Sequence, residues 1–487
     1  MKKMYFFKST VFLAAIIALF ACTKVKTPAP ALTVSVSTIS FAPEGGSQDI
    51  TVTSNADWSV SNPAFSWLQL SATAGKSGST VIHMTVTSPN GTGASQSGIL
   101  NISSSNGQAR RVTVTRGPTI YPSYNTSPKA PDMTGMTSTA VQLAAKFQMG
   151  INFGNTMESP NEGDWQSSKM TLSYVKYVKQ LGFNFVRIPC NWVWTHLSDQ
   201  KKATIDPAWL ARVKEVVGWC VANDMYVVLN DHDSANTNVN AIKQDSVNAM
   251  QKAIWEQIAT TMRDFDEHLI FAGLNEPPAD NAAQMATLNG YHETFIKADR
   301  STGGRNSYRV LVVQGPHTDP TLTTTLMTTL PHDPVPNKLM LEVHDYTPYA
   351  FTILADGDAS WGKMLYYWGA GNHSTIEPDR NATYGEEDAI TAELQAVKQN
   401  FIDKGIPVIL GEYAVWRRTA AVTNPNYLPK DMAMHNKSVD YWTTFATKTA
   451  KADGLMPFWW EVGFLLDRSN NVIKDQPMFD ALKEGYK

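Results

Sequence analysis

Two glutamates carry the clearest chemical signal in this sequence. Glu276 closes the apolar run "FAGLNE", and Pro277 and Pro278 follow at once. Glu412 closes a second such run, "PVILGEY" with Tyr413. A pair of carboxyls delivered by two strands suits cleavage of a glycosidic bond. That reaction needs one protonated carboxyl to donate to the leaving oxygen and one ionised carboxyl to attack the anomeric carbon. Their surroundings must hold the two pKa values apart. Other polar strand ends could supply those surroundings: Arg187 in "FNFVRIP", His232 in "YVVLNDHD", Asn275 beside Glu276, His344 and Tyr346 in "LMLEVHDYTP", and Trp460 in "MPFWWEVG". Arg187 beside Glu412, helped by a hydrogen bond from Tyr346, predicts an ionised Glu412. Glu276, farther from the arginine and near that negative charge, is then pushed toward its protonated form. Asn275 is placed to hydrogen-bond a sugar 2-hydroxyl, and the prolines stiffen the exit of the strand.

Residues so far apart in sequence meet only if their strands end in one ring. From about residue 136 the chain alternates strands and helices. Eight short apolar runs recur: "MGINFGN", "FNFVRIP", "YVVLNDHD", "LIFAGLNEP", "RVLVVQGP", "LMLEVHDYTP", "IPVILGEY" and "MPFWWEVG". Between them lie amphipathic helices. One starts with Asp206 as N-cap and Pro207 at the first helical position. Its apolar stripe is Trp209, Val213, Val216, Val217 and Cys220. The pattern predicts an α/β fold, a (β/α)8 TIM barrel over 136–487, whose parallel strands present their C-terminal tips on one face. A doubly wound open sheet would be expected to carry a Gly-rich phosphate turn, and the sequence has none.

The strings "GINFGNT", "FNFVRIP", "LNDH", "GLNEP", "EVHDYTPY", "ILGEY" and "FWWEVG" together resemble glycoside hydrolase family 5 over 146–487. The resemblance implies a retaining barrel enzyme with Glu276 as acid/base and Glu412 as nucleophile. It implies that Arg187, His232, Asn275, His344, Tyr346 and Trp460 line the sugar site at the point of cleavage. Asn155, within "GINFGNT", joins the expected substrate-binding residues. No cofactor and no metal are expected. Two positions depart from the family pattern. Asp233 stands where a second His often follows His232, and "WEVG" replaces Trp-Asp-Asn-Gly.

The rest of the chain sets the context. Net charge is −3, which offers no basic field for nucleic acid. Lys2, Lys3 and Lys8 precede the ten-residue apolar run "VFLAAIIALF", too short to span a bilayer but suited to a signal h-region. The run ends "LFAC" at Cys22, which resembles a lipoprotein signal over 1–22 with Cys22 lipidated. The expectation is an exported, monomeric protein, lipid-anchored to a bacterial outer membrane or cell surface, or otherwise periplasmic or secreted. Residues 23–34 read as a tether. Residues 35–118 alternate apolar and polar residues between turns, the pattern of a small immunoglobulin-like β-sandwich with Trp58 and Trp67 in its core. The string W-S-V … W-L-x-L resembles a BACON-type module, with Arg116 where a Gln is usual. Residues 119–135 read as an extended Pro-rich linker. Cys190 and Cys220 are expected at opposite ends of the barrel, hence unpaired.

The substrate is read from the connection after the sixth strand, 347–406. Loops this long in a barrel are usually functional. It carries Trp361, Tyr366, Tyr367 and Trp368, and an exposed aromatic such as Trp368 would stack on sugar faces. This predicts an endo-acting β-1,4-glucanase. A xyloglucan-, mixed-linkage-glucan- or mannan-cleaving enzyme is the nearest alternative. More distant are a metal-dependent hydrolase using His232, Asp233, His344 and Asp345, and a non-catalytic glycan-binding lipoprotein.

Overall fold

The computed structural model describes residues 29–487 apart from 44, 62–65, 91, 93, 166–167, 234–238, 240–243, 355–361, 420–423 and 425–426. The signal stretch, with Cys22, and Trp361 of the long connection lie outside the described residues. The chain divides into two compact units, one ending at Thr119 and one spanning Ile120–Lys487.

The first unit is a two-sheet sandwich. Leu32–Val34, Gly46–Ser54, Gly78–Val86 and Leu68–Leu70 form one sheet. Thr38–Phe41, Ala109–Arg116, Gln96–Ser104, Trp58–Ser61 and Ala74–Gly75 form the other. Strand residues alternate inward and outward, so Ile50, Val52, Ile82, Met84, Leu100, Ile102, Val112 and Val114 share one core. Trp58 is buried there. Gly75 lies flat against it, since a Cβ at that position would come within 2.4 Å of the ring. Trp67 is half-buried under the Arg116 guanidinium, 4.5 Å from the ring centre, so the arginine that departs from the module pattern has a packing role. The first strand begins at Leu32, inside the stretch read as a tether.

The second unit is a closed eight-stranded parallel barrel. Its strands are β1 (Gly150–Asn152), β2 (Phe185–Ile188), β3 (Tyr226–Asn230), β4 (Leu269–Ala272), β5 (Leu311–Gln314), β6 (Leu339–His344), β7 (Val408–Tyr413) and β8 (Met456–Trp459). They coincide with the eight apolar runs. Helices follow each strand: α1 (Leu172–Gln180), α2 (Pro207–Ala222), α3 (Gln244–Met262), α4 (Ala282–Ser301), α5 (Pro320–Leu326), α6 (Glu387–Asn400), α7 (Met432–Ala452) and α8 (Gln476–Tyr486). In α2 the Asp206 cap accepts from the Ala208 N–H, and all five stripe residues are buried. Cys190 and Cys220 are free and buried, as expected.

Period-two alternation sorts the barrel interior into layers. Phe185, Val228, Ile270, Val312, Met340, Ile409, Met456 and Phe458 fill the lower part. One step higher along the same strands, the inward positions turn polar: Asn152, Arg187, Asn230, Gln314 and Glu342, all fully buried. The barrel floor is therefore apolar, and a charged layer supports the catalytic face.

Residues 119–135 are not a free linker. Ile120 onward belongs to the barrel unit and is strapped along it. The buried Glu256 of α3 accepts from Ser123 Oγ (2.9 Å), the Tyr124 N–H (2.6 Å) and the Asn125 N–H (3.1 Å). Lys129–Pro131 pairs in parallel with Gly303–Gly304. Gly303 has no alternative there, because a Cβ would sit 1.8 Å from the Lys129 carbonyl oxygen. The prolines hold the strap extended, and polar groups on α3 and α4 fix it in place. A barrel cut to begin at Ile120 should keep full activity and stability. A barrel cut to begin at Gly135 leaves the Glu256 carboxylate without three donors and should lose roughly 1–3 kcal/mol of stability. Thermal denaturation of the two truncations compares them directly, and equal melting temperatures would show that the strap contributes nothing.

Candidate active site

Arg187, inward on β2, is the hub. Its side chain is fully buried, and its Nε lies 2.7 Å from Glu342 Oε1. Its Nη1 donates to Glu412 Oε1 (2.9 Å) and to Asn152 Oδ1 (3.0 Å), and its Nη2 donates to Asn275 Oδ1 (2.9 Å). With its Oδ1 so occupied, Asn275 is left to present its NH2 group as a donor. Burial disfavours the Arg187 charge, but the Glu342 and Glu412 carboxylates outweigh it and hold the Arg187 pKa above its usual value.

Glu412 reaches this hub through a β-bulge. Along β7, Ile409 and Gly411 face inward, so simple alternation would turn Glu412 outward. The register between β6 and β7 shifts after the Val343–Leu410 pair, and His344 then stands opposite Glu412. Such a bulge re-aims the following side chain. Gly411 is required at this point, since a Cβ would fall 2.1 Å from Glu342 Oε1. Once re-aimed, Glu412 accepts from Tyr346 Oη (2.9 Å) as well as from Arg187.

Glu276 stands on a strained turn. Its φ is +43°, unusual for a residue with a Cβ. Leu274 anchors the strand end by donating its N–H to Gln314 Oε1 (2.9 Å). Glu276 Oε1 lies 2.8 Å from His344 Nδ1. Its side chain is 46% exposed, whereas that of Glu412 is only 7% exposed. One carboxylate oxygen from each glutamate falls within a 4.8 Å cluster that includes a His344 ring nitrogen. Carboxyls about 5–5.5 Å apart fit a covalent retaining mechanism, and about 6.5–9.5 Å would be needed to admit an attacking water.

His344 ties three carboxylates together. Its Nε2 lies 3.2 Å from Glu342 Oε1, and its Nδ1 lies 2.8 Å from Glu276 and 3.8 Å from Glu412. Burial disfavours its charge, but Glu412, Glu276 and Glu342 outweigh burial and raise its pKa to about 9. His232 is the opposite case. Burial and the nearby Arg187 charge lower it to about 3, so it is a neutral ring. It lies parallel to Trp460, with ring centres 6.0 Å apart.

The two glutamates lean in the opposite directions to the sequence expectation. In the protein alone, burial raises Glu276, but the hydrogen bond and charge of His344 overcome it and hold the carboxyl below its usual range. Burial raises Glu412, and the charge of Glu276 adds to it, more than His344 and Arg187 lower it. The expectation counted the Arg187 contact and missed both the depth of Glu412 and the cation beside Glu276.

The raised His344 value has a consequence for stability. Its folded pKa of about 9 exceeds the unfolded 6.5, so its contribution is complete below about pH 6.5 and is lost as pH rises through about 9. Melting temperature should fall across that window, and His344→Gln should flatten the slope. Parallel pH profiles for the two proteins would contradict the assignment.

Other expected residues divide. Asn155 occupies a left-handed turn (φ +56°) at the tip of β1 and is half-buried. Its N–H donates to Glu158, and among the described residues it stands apart from the Arg187 network. Trp368 is a correction. It is fully buried, donates its indole N–H to the Gly385 carbonyl (2.7 Å) and packs on Phe351, Tyr441 and Phe445. Tyr366 and Tyr367 are buried with it. These aromatics fasten the long connection to the barrel and offer no sugar platform.

The two departures from the family pattern are structural. Asp233 accepts from the N–H groups of Trp192, Val193 and Trp194 (2.6, 2.8 and 3.0 Å). Glu461 is fully buried and accepts from the Gly463, Leu465 and Leu466 N–H groups (2.7, 3.0 and 3.2 Å). Asp345 accepts from the Thr347 N–H (2.8 Å). Two of the four residues considered for a metal site, Asp233 and Asp345, thus hold loop backbone, and His344 is held in its charged form.

Sequence reasoning missed Glu342, together with Asn152, Asn230 and Gln314. Burial raises the Glu342 pKa, but Arg187 and His344 outweigh it and hold the carboxyl down at about 2. Gln314 Nε2 donates to its other oxygen (2.6 Å). The available signal was a polar residue at an inward position of an otherwise apolar strand, as in "LMLEVH".

The chain is similar to a xyloglucan-specific endo-beta-1,4-glucanase of Bacteroides ovatus, with 31% identity over 92% of this chain and 89% of that protein. It is also similar to endoglucanase A of Paenibacillus barcinonensis, with 28% identity over 75% of this chain and 94% of the relative. Among solved structures, a Bacteroides ovatus xyloglucanase in complex with a heptasaccharide superposes with a TM-score of 0.68 at 28% identity, covering 94% of this chain and all of that one. A xyloglucan-specific beta-1,4-glucanase from a ruminal metagenomic library gives a TM-score of 0.64 at 34% identity, covering 72% of this chain and 96% of that one. The model of the cellulase family matches residues 145–464, about two thirds of the sequence, and the chain belongs to glycosyl hydrolase family 5.

Proposed function

We propose that this protein is an endo-acting hydrolase of β-1,4-linked glucan chains. The observation that carries the reading is the Glu276–Glu412 pair, set at retaining distance with Arg187 and Tyr346 fixing Glu412. In a retaining reaction Glu412 attacks the anomeric carbon while Glu276 gives its proton to the departing glycosidic oxygen. Water then hydrolyses the glycosyl-enzyme, with Glu276 taking a proton from it. Attack requires Glu412 ionised and Glu276 protonated, the reverse of their leanings in the protein alone. A sugar chain laid over the half-exposed Glu276 expels water from its carboxyl, and desolvation favours the protonated form. Substrate binding therefore raises the Glu276 pKa toward what its acid role needs. Arg187, Tyr346 and His344 stabilise Glu412 once it is ionised.

Four soluble polysaccharides test the reading: carboxymethylcellulose, xyloglucan, mixed-linkage glucan and mannan, each with product sizing. Rapid shortening of a β-1,4-glucan is the expected result, and cleavage of mannan alone would overturn the assignment. A second reading, preference for a branched β-1,4-glucan, is supported by relatives whose names specify xyloglucan. It predicts that xyloglucan is cut faster than carboxymethylcellulose.

Outside the barrel the proposals rest on sequence. The β-sandwich serves as a BACON-type spacer, and Cys22 carries a lipid that holds a monomeric enzyme at the cell surface or outer membrane. Mass spectrometry of the N-terminal peptide would detect the lipid on Cys22.

A further inference from the structure

We propose that Trp165 and Trp194 form a carbohydrate-binding platform beside the reaction centre that holds a glucan chain as it leaves the cleft. The proposal rests on the glucanase reading above. Both indoles are unusually open for tryptophan, at 49% and 57% exposure. They are neighbours, with ring centres 6.3 Å apart and planes tilted by 40°. Trp165 lies between β1 and α1, and Trp194 lies between β2 and α2. Both therefore belong to strand-to-helix loops on the catalytic face.

The loops are built to hold their position. Asp233, directly after His232, gathers the Trp192, Val193 and Trp194 N–H groups, so Trp194 is tied by backbone to the reaction centre. The neighbouring Trp192 is buried and donates its indole N–H to the Asn230 carbonyl (3.0 Å). In the β1 loop, Glu162 pairs with Arg212 of α2 (2.8 Å) and accepts from the Met170 N–H (2.9 Å). The loops are joined to each other by the Asn191 N–H to the Met157 carbonyl (3.1 Å) and by Thr195 Oγ1 to the Pro160 carbonyl (2.8 Å). Two indoles on loops whose backbone is tied down in this way cost a ligand little loop ordering.

The chemistry of the occupant follows from the surface. An indole face is flat and apolar, and a β-linked glucose presents a flat face of axial C–H groups. Two tilted indoles suit two successive rings of a β-1,4 chain, which turn relative to one another along the chain. The exposed Asp164 lies next to Trp165 in sequence, which favours a neutral polymer over an anionic one.

Trp165→Ala, Trp194→Ala and the double variant test the proposal. For each, kcat/KM is measured on a soluble β-1,4-glucan polymer and on a short aryl β-cellobioside. Loss of both indoles should raise KM on the polymer by about tenfold, and far less on the short substrate. An unchanged ratio between the two substrates would overturn the platform while leaving the glucanase reading intact. If the wild type cleaves no β-glucan, that reading fails by itself. The platform is then judged by quenching of tryptophan fluorescence with cellohexaose. Quenching lost in the double variant supports it, and quenching absent from the wild type or unchanged in the variant overturns it.

Discussion

Replacing Glu412 with alanine should abolish turnover of every glycoside, by a factor on the order of 10⁴–10⁶, because no covalent intermediate can form. Glu276→Ala should behave differently. On polymers it should lose about 10²–10⁴ in rate, the usual contribution of general acid/base catalysis. Aryl glycosides with good leaving groups need no proton and should still form the glycosyl-enzyme. Azide then separates the two roles by stereochemistry. In Glu276→Ala it enters where water would, attacks the glycosyl-enzyme and gives a β-glycosyl azide. In Glu412→Ala it occupies the vacated carboxylate position, attacks the substrate directly and gives an α-glycosyl azide. The exchanged products would reverse the assignment.

Arg187→Met should be the most destabilising single change in the site. It leaves the fully buried Glu342 and the nearly buried Glu412 without the guanidinium that both contact, and only His344 remains to balance them. Breaking a buried ionic network by removing one partner costs roughly 3–5 kcal/mol. Arg187→Lys keeps the charge but loses the fork that spans Glu342, Glu412, Asn152 and Asn275, so it should recover part of the stability and little of the activity. A wild-type melting temperature for Arg187→Met would show that the network does not act as a unit.

The barrel was legible because each of its strands is a short, mainly apolar run with a polar residue near its end or just past it. The helices declared themselves by stripes and caps, as at Asp206. The strand-end residues were legible for the same reason: parallel strands bring all their tips to one face. Glu342 was not, because it lies two residues before His344 inside β6, and only the inward alternation gives it away. The bulge at Gly411 was equally hidden, since no local pattern says that one glycine is needed to turn Glu412 inward. Trp368 shows the converse limit. An aromatic-rich connection can line a cleft or fasten itself down, and burial alone distinguishes the two. The strap at 120–135 was misread because proline spacing describes local stiffness, while its attachment depends on Glu256 and Gly303, far away in sequence.

The most direct test of the central claim is the anomeric configuration of the first-formed product. Proton NMR during hydrolysis of a β-1,4-glucan oligosaccharide reports it before mutarotation scrambles the signal. Attack by Glu412 followed by attack of water inverts the centre twice, so the β-anomer should appear first. An α-anomer appearing first would mean a single displacement by water, and Glu412 could not then be the nucleophile.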